Sequence, residues 1–138
     1  MKAIPYISFN GKCEEAINFY QSVIGGKTNL MRFSDLPSDE GIPISENWKN
    51  KIMHSALMFD DGNVIYFGDT WEDAPVRTGN YATIHLVTEN EQQVYDFVEK
   101  LADGGEITMP VEKTFWNSVY GNLIDKYGIS WSVEFEIK

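Results

Sequence analysis

Two histidines, His54 and His85, are the only ones in the chain, and both fall in segments predicted to be strands. Side chains alternate between the two faces of a strand, which places His54 with Tyr66 and His85 with Glu134 on inward faces. Imidazole and carboxylate groups serve as general bases and as metal ligands. His54 is therefore the candidate catalytic residue, as a base or in a reduced metal site. Each histidine could equally be a half-buried strand residue bonded to a neighbour.

Large aromatic residues gather in the second half of the sequence. Phe115, Trp116 and Tyr120 lie close together, and Trp131 follows in the last strand. Aromatic walls with a few polar groups are typical of small-molecule sites, and a tryptophan ring can also contact a cation. We predict that Tyr66, His85, Trp116, Tyr120 and Glu134 bind a ligand. The alternative is that these rings fill a core, which strand alternation favours for Trp131.

Composition narrows the classes of partner. The 138 residues include 11 basic and 21 acidic side chains, a net charge of −10. This balance argues against binding to nucleic acid or to an anionic membrane surface, because both need basic side chains. A cationic or aromatic small molecule remains a suitable ligand. The one cysteine, Cys13, excludes an internal disulfide and is expected to be a buried apolar residue.

Periodicity and turn residues predict the elements that must position these side chains. Gly25-Gly26 and Gly104-Gly105 end the two predicted helices, and Thr88 with Glu91 has the form of a capping box at the start of the second. An acidic loop around Ser38-Asp39-Glu40 is expected to be solvated. The predicted strands are 3–9, 28–33, 52–59, 64–68, 81–87, 106–110, 118–124 and 130–137, and the segment 34–50 is predicted to be a long loop.

The order strand, helix and three strands occurs twice. Residues 15–20 (EAINFY) align with residues 93–98 (QVYDFV), and both helices run into a Gly-Gly pair. This pattern indicates an internal repeat. We predict an α+β fold of two βαβββ modules whose curved mixed sheets surround a cleft, with the helices on the outer faces. Residues 1–138 would form one domain, with repeat 1 at about 1–69, a linker at 70–80 and repeat 2 at about 81–138.

Several segments resemble one known family across nearly the whole chain. They are residues 5–9 (PYISF), 11–16 (GKCEEA), 52–54 (IMH), 108–110 (TMP), 114–116 (TFW) and 125–131 (DKYGISW). The chain resembles the vicinal oxygen chelate superfamily, which includes glyoxalase I and the bleomycin and fosfomycin resistance proteins, and within it the PhnB-like branch. That branch also carries a demethylubiquinone methyltransferase name. The resemblance implies the fold, but this fold hosts many chemistries and the name does not establish a methyltransferase.

The metalloenzymes of this superfamily take His or Glu ligands from four strands. Alignment by helices and hairpins puts Pro5, Tyr66, Thr83 and Ser132 at those positions. Proline has no ligating side chain, and the three hydroxyl residues are poor ligands for Zn²⁺ or Ni²⁺. We therefore predict no glyoxalase-type metal and no other cofactor.

Three functional hypotheses follow from these observations. The first is a metal-free protein that binds a small molecule in the cleft, the second is an enzyme that uses His54, and the third is a structural or regulatory partner with a vestigial cleft. Open sheet edges and the resemblance both predict a homodimer. The sequence has no apolar leader or spanning segment, so a cytoplasmic location is expected.

Overall fold

The computed structural model describes residues 1–37 and 43–138. The predicted acidic loop at Ser38-Asp39-Glu40 lies outside the described residues. The chain divides into two compact units, 1–77 and 78–138. Among the described residues, no helix has the length and apolar character needed to cross a bilayer.

Each unit contains one α-helix and one four-stranded mixed sheet. The elements of the first unit are β1 (Tyr6–Phe9), α1 (Cys13–Ile24), β2 (Lys27–Arg32), β3 (Ile52–Met58) and β4 (Val64–Asp69); those of the second are β5 (Ile84–Val87), α2 (Glu91–Leu101), β6 (Glu106–Lys113), β7 (Ser118–Ile124) and β8 (Ser130–Glu136). The first unit has the sheet order β1-β4-β3-β2 and the second has β5-β8-β7-β6. In both units the first strand pairs parallel with the last, and the other pairs are antiparallel. This repeated arrangement confirms the predicted α+β class and the two βαβββ modules. The cleft expected between the modules stays a prediction.

The helices bury the apolar faces that the sequence predicts. In α1 the buried side chains are Cys13, Ala16, Ile17 and Tyr20, and in α2 they are Val94, Val98 and Leu101. Each large apolar side chain that leaves water contributes about 1.5–3 kcal/mol to folding. Each helix therefore covers one face of its own sheet and leaves the opposite face for other contacts.

Asp69 connects three elements of the first unit. Its side chain is 6% exposed, at the end of β4. Oδ1 accepts hydrogen bonds from the backbone N–H of Gly11 at 2.7 Å and of Cys13 at 3.0 Å, and Oδ2 accepts one from Ile52 at 2.9 Å. Lys12, the residue before α1, supplies no side-chain cap. Asp69 therefore satisfies the start of α1 from a distant strand and ties that start to β3.

The second helix begins differently from the prediction. Its cap is Asn90, whose side chain accepts a hydrogen bond from the N–H of Gln93 at 2.9 Å. The predicted capping box with Thr88 as cap is wrong, because the Thr88 hydroxyl instead donates to the carbonyls of Asn90 and Glu134. Thr88 thus holds the loop before α2 against β8.

The remaining differences from the predicted elements are at strand ends. β5 begins at Ile84 rather than at residue 81, and β6 continues to Lys113 through two irregularities in its pairing with β7.

The turn after β7 contains Asp125, which is 2% exposed and accepts from the N–H groups of Tyr127 and Ile129 and from the indole of Trp131. Trp131 is buried on the helix side of its sheet, as predicted.

Candidate functional site

Cys13 is buried, and its local environment is unfavourable for a thiolate. Burial raises the pKa of the Cys13 thiol to about 12, and the negative charges of Asp69 and Glu14 act in the same direction, against a hydrogen bond with Ser55. A thiolate is the nucleophilic form of cysteine, so this residue is an inert part of the core. This agrees with the interpretation of Cys13 as a buried apolar residue.

In the first unit, His54 and Tyr66 lie together on the sheet face opposite α1. Their ring centroids are 4.7 Å apart in an edge-on contact. Nδ1 of His54 is 3.1 Å from the hydroxyl of Tyr6, a residue of β1 that pairs in register with Tyr66. The sequence patterns did not assign Tyr6 to the site.

Gly68 makes the Tyr6 contact possible. A Cβ atom at this position would lie 2.8 Å from the Tyr6 hydroxyl and 2.9 Å from the Met53 carbonyl oxygen. The absence of a side chain on β4 therefore leaves the space through which the phenol reaches His54. A glycine between two buried strand residues was the one available signal, since glycine in a strand often marks a close approach.

An open groove of about 520 Å³ begins at His54 and Tyr66. It runs along β2, β3 and the turn before β4, and we call it the His54 groove. Its other lining side chains include Asn29, Met31, Met58, Asn63 and Val64. Met31 and Met58 are 45% and 40% exposed, respectively. Their flexible thioethers suit the adaptable wall of a binding surface.

In the second unit, four predicted ligand-binding residues form one connected group, His85, Trp116, Tyr120 and Glu134, which we call the aromatic–acid cluster. Nε2 of His85 is 3.1 Å from one carboxylate oxygen of Glu134, and the indole N–H of Trp116 donates to the other at 3.3 Å. Tyr120 pairs in register with Glu134, and its ring centroid lies 6.2 Å from that of His85 and 6.0 Å from that of Trp116.

The Glu134 carboxylate is held in its charged form. Burial acts to raise its pKa, but hydrogen bonds from Ser118, Trp116 and His85, together with the charge of His85, lower the pKa of Glu134 below its ordinary value. On the opposite side of Tyr120, β6 places Glu112 in register. A tyrosine ring between two carboxylates, next to an exposed indole, is an environment suited to a positive charge.

Two polar groups and a cavity adjoin this cluster. Nδ1 of His85 is 2.6 Å from the Ser132 hydroxyl, so both ring nitrogens have protein partners. Asn122 pairs in register with Ser132, and its Oδ1 is buried without a hydrogen-bond partner among the described residues. A buried acceptor of this kind calls for a donor. A cavity of about 460 Å³ lies at the Trp116 end, lined also by Ser118, Glu136 and Lys138.

The residues that align with the superfamily's metal ligands do not fit a divalent metal. Pro5 offers no side-chain donor, and its carbonyl accepts from the N–H of Tyr66. Thr83 lies just before β5, and the Ser132 hydroxyl is engaged with His85. Across residues 1–37 and 43–138, no three His, Cys, Asp or Glu side chains are grouped so that they could hold a metal ion. Hydroxyl donors alone are poor ligands for Zn²⁺ or Ni²⁺.

Two tryptophans outside the site, Trp48 and Trp71, have contacts within the first unit. The indole N–H of Trp48 donates to the Thr70 carbonyl at 3.0 Å, and its ring lies against Gly11. Trp71 contacts Phe33, with ring centroids 5.0 Å apart. Both rings therefore have packing roles there.

Comparison with known proteins agrees with this fold. Residues 4–133 match the Glyoxalase/Bleomycin resistance protein/Dioxygenase superfamily. The chain is 28% identical to the protein YjdN of Escherichia coli K12 over 96% of this chain and 94% of YjdN. It is 30% identical to PA1353 of Pseudomonas aeruginosa, with a TM-score of 0.82 over 99% and 98% of the two chains. It is also 25% identical to a PhnB protein of Bacillus cereus, with a TM-score of 0.74 over 98% and 99%. With its repeated modules and a family match that spans almost its whole length, the chain belongs to the glyoxalase/bleomycin resistance protein/dioxygenase superfamily and is similar to its PhnB-like members.

Proposed function

We propose that the protein binds a small organic cation with an aromatic body at the aromatic–acid cluster, without a divalent metal. The observation that carries this proposal is the Glu134 carboxylate, held charged beside the half-exposed indole of Trp116. Trp116 and Tyr120 provide ring faces for the cation, and Phe115, 97% exposed with its centroid 4.9 Å from that of Trp116, extends the aromatic surface. The net charge of −10 favours the approach of a cation over that of an anion.

The polar groups of the cluster indicate which cation suits it. The buried Oδ1 of Asn122 has no donor among the described residues, and an ammonium group supplies N–H donors where a quaternary ammonium does not. Glu112 and Glu136 stand in register with Tyr120 and Ser118 on the same face. Lys138 is the one basic side chain among the residues that line the adjoining cavity. A primary aromatic ammonium therefore fits better than a fully methylated one.

Benzylamine is the probe for this proposal, and isothermal titration at pH 7.5 measures its affinity. We expect Trp116→Ala and Glu134→Gln each to weaken binding by roughly tenfold, since a cation–π contact and a charged hydrogen bond each contribute on the order of 1–2 kcal/mol. Treatment with a chelator should leave the affinity unchanged. Trp71→Ala, in the first unit, is the matched control and should bind as the parent does.

Two results would overturn the proposal. One is equal affinity for benzylamine and for neutral benzyl alcohol, which would mean that charge is not recognised. The other is an unchanged dissociation constant in both cluster variants, with circular dichroism showing that they are folded. A chelator effect would restore the metal-dependent alternative.

An enzyme that uses His54 as a general base is the second candidate function. It is favoured by the open His54 groove and by the contact between Nδ1 of His54 and the Tyr6 hydroxyl, which orients the imidazole. Metal bound stoichiometrically by tag-free protein and lost in His54→Ala would favour a metal-dependent form of this enzyme.

We further propose that the protein is a homodimer. The strands β1, β2, β5 and β6 each form one edge of a four-stranded sheet, and such edges are commonly covered by pairing. Light scattering at micromolar concentration should give twice the mass of the chain. The mass of a single chain at that concentration would contradict the proposal.

A further inference from the structure

Ser132, His85 and Glu134 form one chain of hydrogen bonds on the face of the second sheet opposite α2. The Ser132 hydroxyl is 2.6 Å from Nδ1 of His85, and Nε2 of His85 is 3.1 Å from a carboxylate oxygen of Glu134. β5 and β8 hold this order, because His85 pairs in register with Ser132 and Glu134 follows on the same face of β8. A hydroxyl, an imidazole and a carboxylate linked in this order are the parts of an activated serine nucleophile.

The Glu134 carboxylate fixes the direction of both hydrogen bonds. Burial acts to raise the pKa of Glu134, but hydrogen bonds from three neighbouring side chains, among them His85, lower it below its ordinary value. The group is therefore ionised near neutral pH, and an ionised carboxylate accepts hydrogen bonds but has no hydrogen to donate. A neutral His85 must then carry its hydrogen on Nε2, which leaves the lone pair of Nδ1 to accept from the Ser132 hydroxyl. His85 is thus oriented as a base toward that hydroxyl.

The surroundings of the hydroxyl limit what can react with it. Ser132 is 4% exposed, whereas the side chain of His85 is 42% exposed. A reacting group therefore reaches Ser132 past the edge of the imidazole, and a small acyl group is the kind that fits. Asn122 of β7 pairs in register with Ser132 and brings a side-chain amide beside it. An amide N–H can stabilise the oxyanion that forms during acyl transfer.

We propose that Ser132 is a nucleophile that accepts small acyl groups from activated esters, with His85 as its general base and Glu134 as the residue that orients His85. The Ser132 oxygen bonds to the ester carbonyl carbon while its proton passes to Nδ1 of His85. The bond from that carbon to the alcohol or phenol oxygen breaks, and the leaving oxygen takes the proton. Water then attacks the acyl-serine by the same proton path, which releases the carboxylic acid and restores the hydroxyl. This activity goes beyond the proposed function, because cation binding needs neither the Ser132 hydroxyl nor a covalent step.

The probe is p-nitrophenyl acetate, and mass spectrometry of peptides from acid-quenched protein locates the acetyl group. We expect acetylation of Ser132 in the parent protein. Ser132→Ala and His85→Gln should each lower the rate of p-nitrophenolate release by about 100-fold, the lower end of the range for general-base catalysis. Ser130→Ala, on the same face of β8, is the matched control and should react as the parent does. Acetylation confined to lysines, or equal rates in Ser132→Ala and the parent, would overturn the proposal.

The low exposure of Ser132 predicts a preference for short acyl groups. We expect p-nitrophenyl hexanoate to react at least about tenfold more slowly than the acetate, because a longer chain does not fit beside the imidazole. Both esters have the same leaving group, so the comparison isolates the acyl chain. Equal rates would place the reaction at an exposed side chain and would contradict the role of Ser132.

Binding and tautomer measurements separate this role from a structural one. Ser132→Ala should bind benzylamine within about twofold of the parent, since it keeps the rings and the carboxylate of the aromatic–acid cluster. A folded Ser132→Ala that lost both acylation and benzylamine binding would indicate a structural role and overturn the proposal. Nitrogen-15 spectra of the neutral imidazole, assigned with a His54→Gln variant, should show the Nε2–H tautomer of His85 and a mixture of tautomers in Glu134→Gln. An Nδ1–H tautomer in the parent would refute the proposal, whereas the benzylamine results would stand unaffected.

Discussion

Replacing Asp69 with alanine is expected to lower the free energy of unfolding by about 3–5 kcal/mol, since three backbone donors, two of them in buried hydrogen bonds, lose a charged acceptor. The donors belong to Gly11, Cys13 and Ile52, and the Lys12 side chain supplies no cap at the start of α1. Water cannot replace the carboxylate easily, because Asp69 is 6% exposed. Urea denaturation followed by circular dichroism measures the change.

Two further variants make the Asp69 result specific. Asp69→Asn keeps one acceptor oxygen and places an NH₂ group where the second oxygen stood, so it should lose about half as much stability as alanine. Asp73→Ala, an exposed acidic residue four positions away, should change stability by less than about 0.5 kcal/mol. If Asp69→Ala were as stable as Asp73→Ala, the connection between β4, α1 and β3 would not contribute to folding.

Gly105→Ala is expected to lower the free energy of unfolding by about 3 kcal/mol or more, the upper end of the range for inserting an atom into filled space. The added Cβ would overlap the Ile124 carbonyl oxygen and lie 2.7 Å and 2.9 Å from the carbonyl carbon and Cα of Asp125. All three are backbone atoms of the β7–β8 turn, whose Asp125 carboxylate receives the Trp131 indole at 2.8 Å. The turn cannot move without disturbing that buried bond.

Gly79→Ala is the matched control for this substitution. No atom lies within 4 Å of a Cβ at Gly79, which is exposed in the segment between the modules. Its stability should equal that of the parent or exceed it by about 0.4–1 kcal/mol, through the lower entropy of the unfolded chain. Thermal unfolding compares the two variants directly. Similar melting temperatures for Gly105→Ala and Gly79→Ala would contradict the predicted overlap.

Local patterns in the sequence were sufficient to predict the helices and strands and which of their faces are buried. The helical spacing of Cys13, Ala16, Ile17 and Tyr20 predicted the buried side of α1, because that spacing is a property of a few consecutive residues. The cap of α2 was wrong because Thr88 and Asn90 are both good caps. The structure distinguishes them because the Asn90 side chain accepts from the N–H of Gln93, whereas the Thr88 hydroxyl donates to carbonyl oxygens.

Part of the candidate site could also be predicted, because strand alternation is a local pattern too. Strand alternation placed His85 and Glu134 on one face, and the register of β5 with β8 then brings them together. The contact between Tyr6 and His54 depends on which strands pair, and on the space above Gly68, neither of which a local pattern contains. Asp69 was missed because it borders a polar segment and its partners lie 17, 56 and 58 positions away.

The junction between sheet and helix is built differently in the two modules. In the first, the Asp69 carboxylate receives three amides, whereas in the second the Thr88 hydroxyl binds the Glu134 carbonyl and the Asn90 amide caps the helix. A helix moved from one module into the other would lose the hydrogen bonds that hold its first turn. The two modules share a topology but not the side chains that hold each helix in place. Each module can therefore change its binding residues without a matching change in the other.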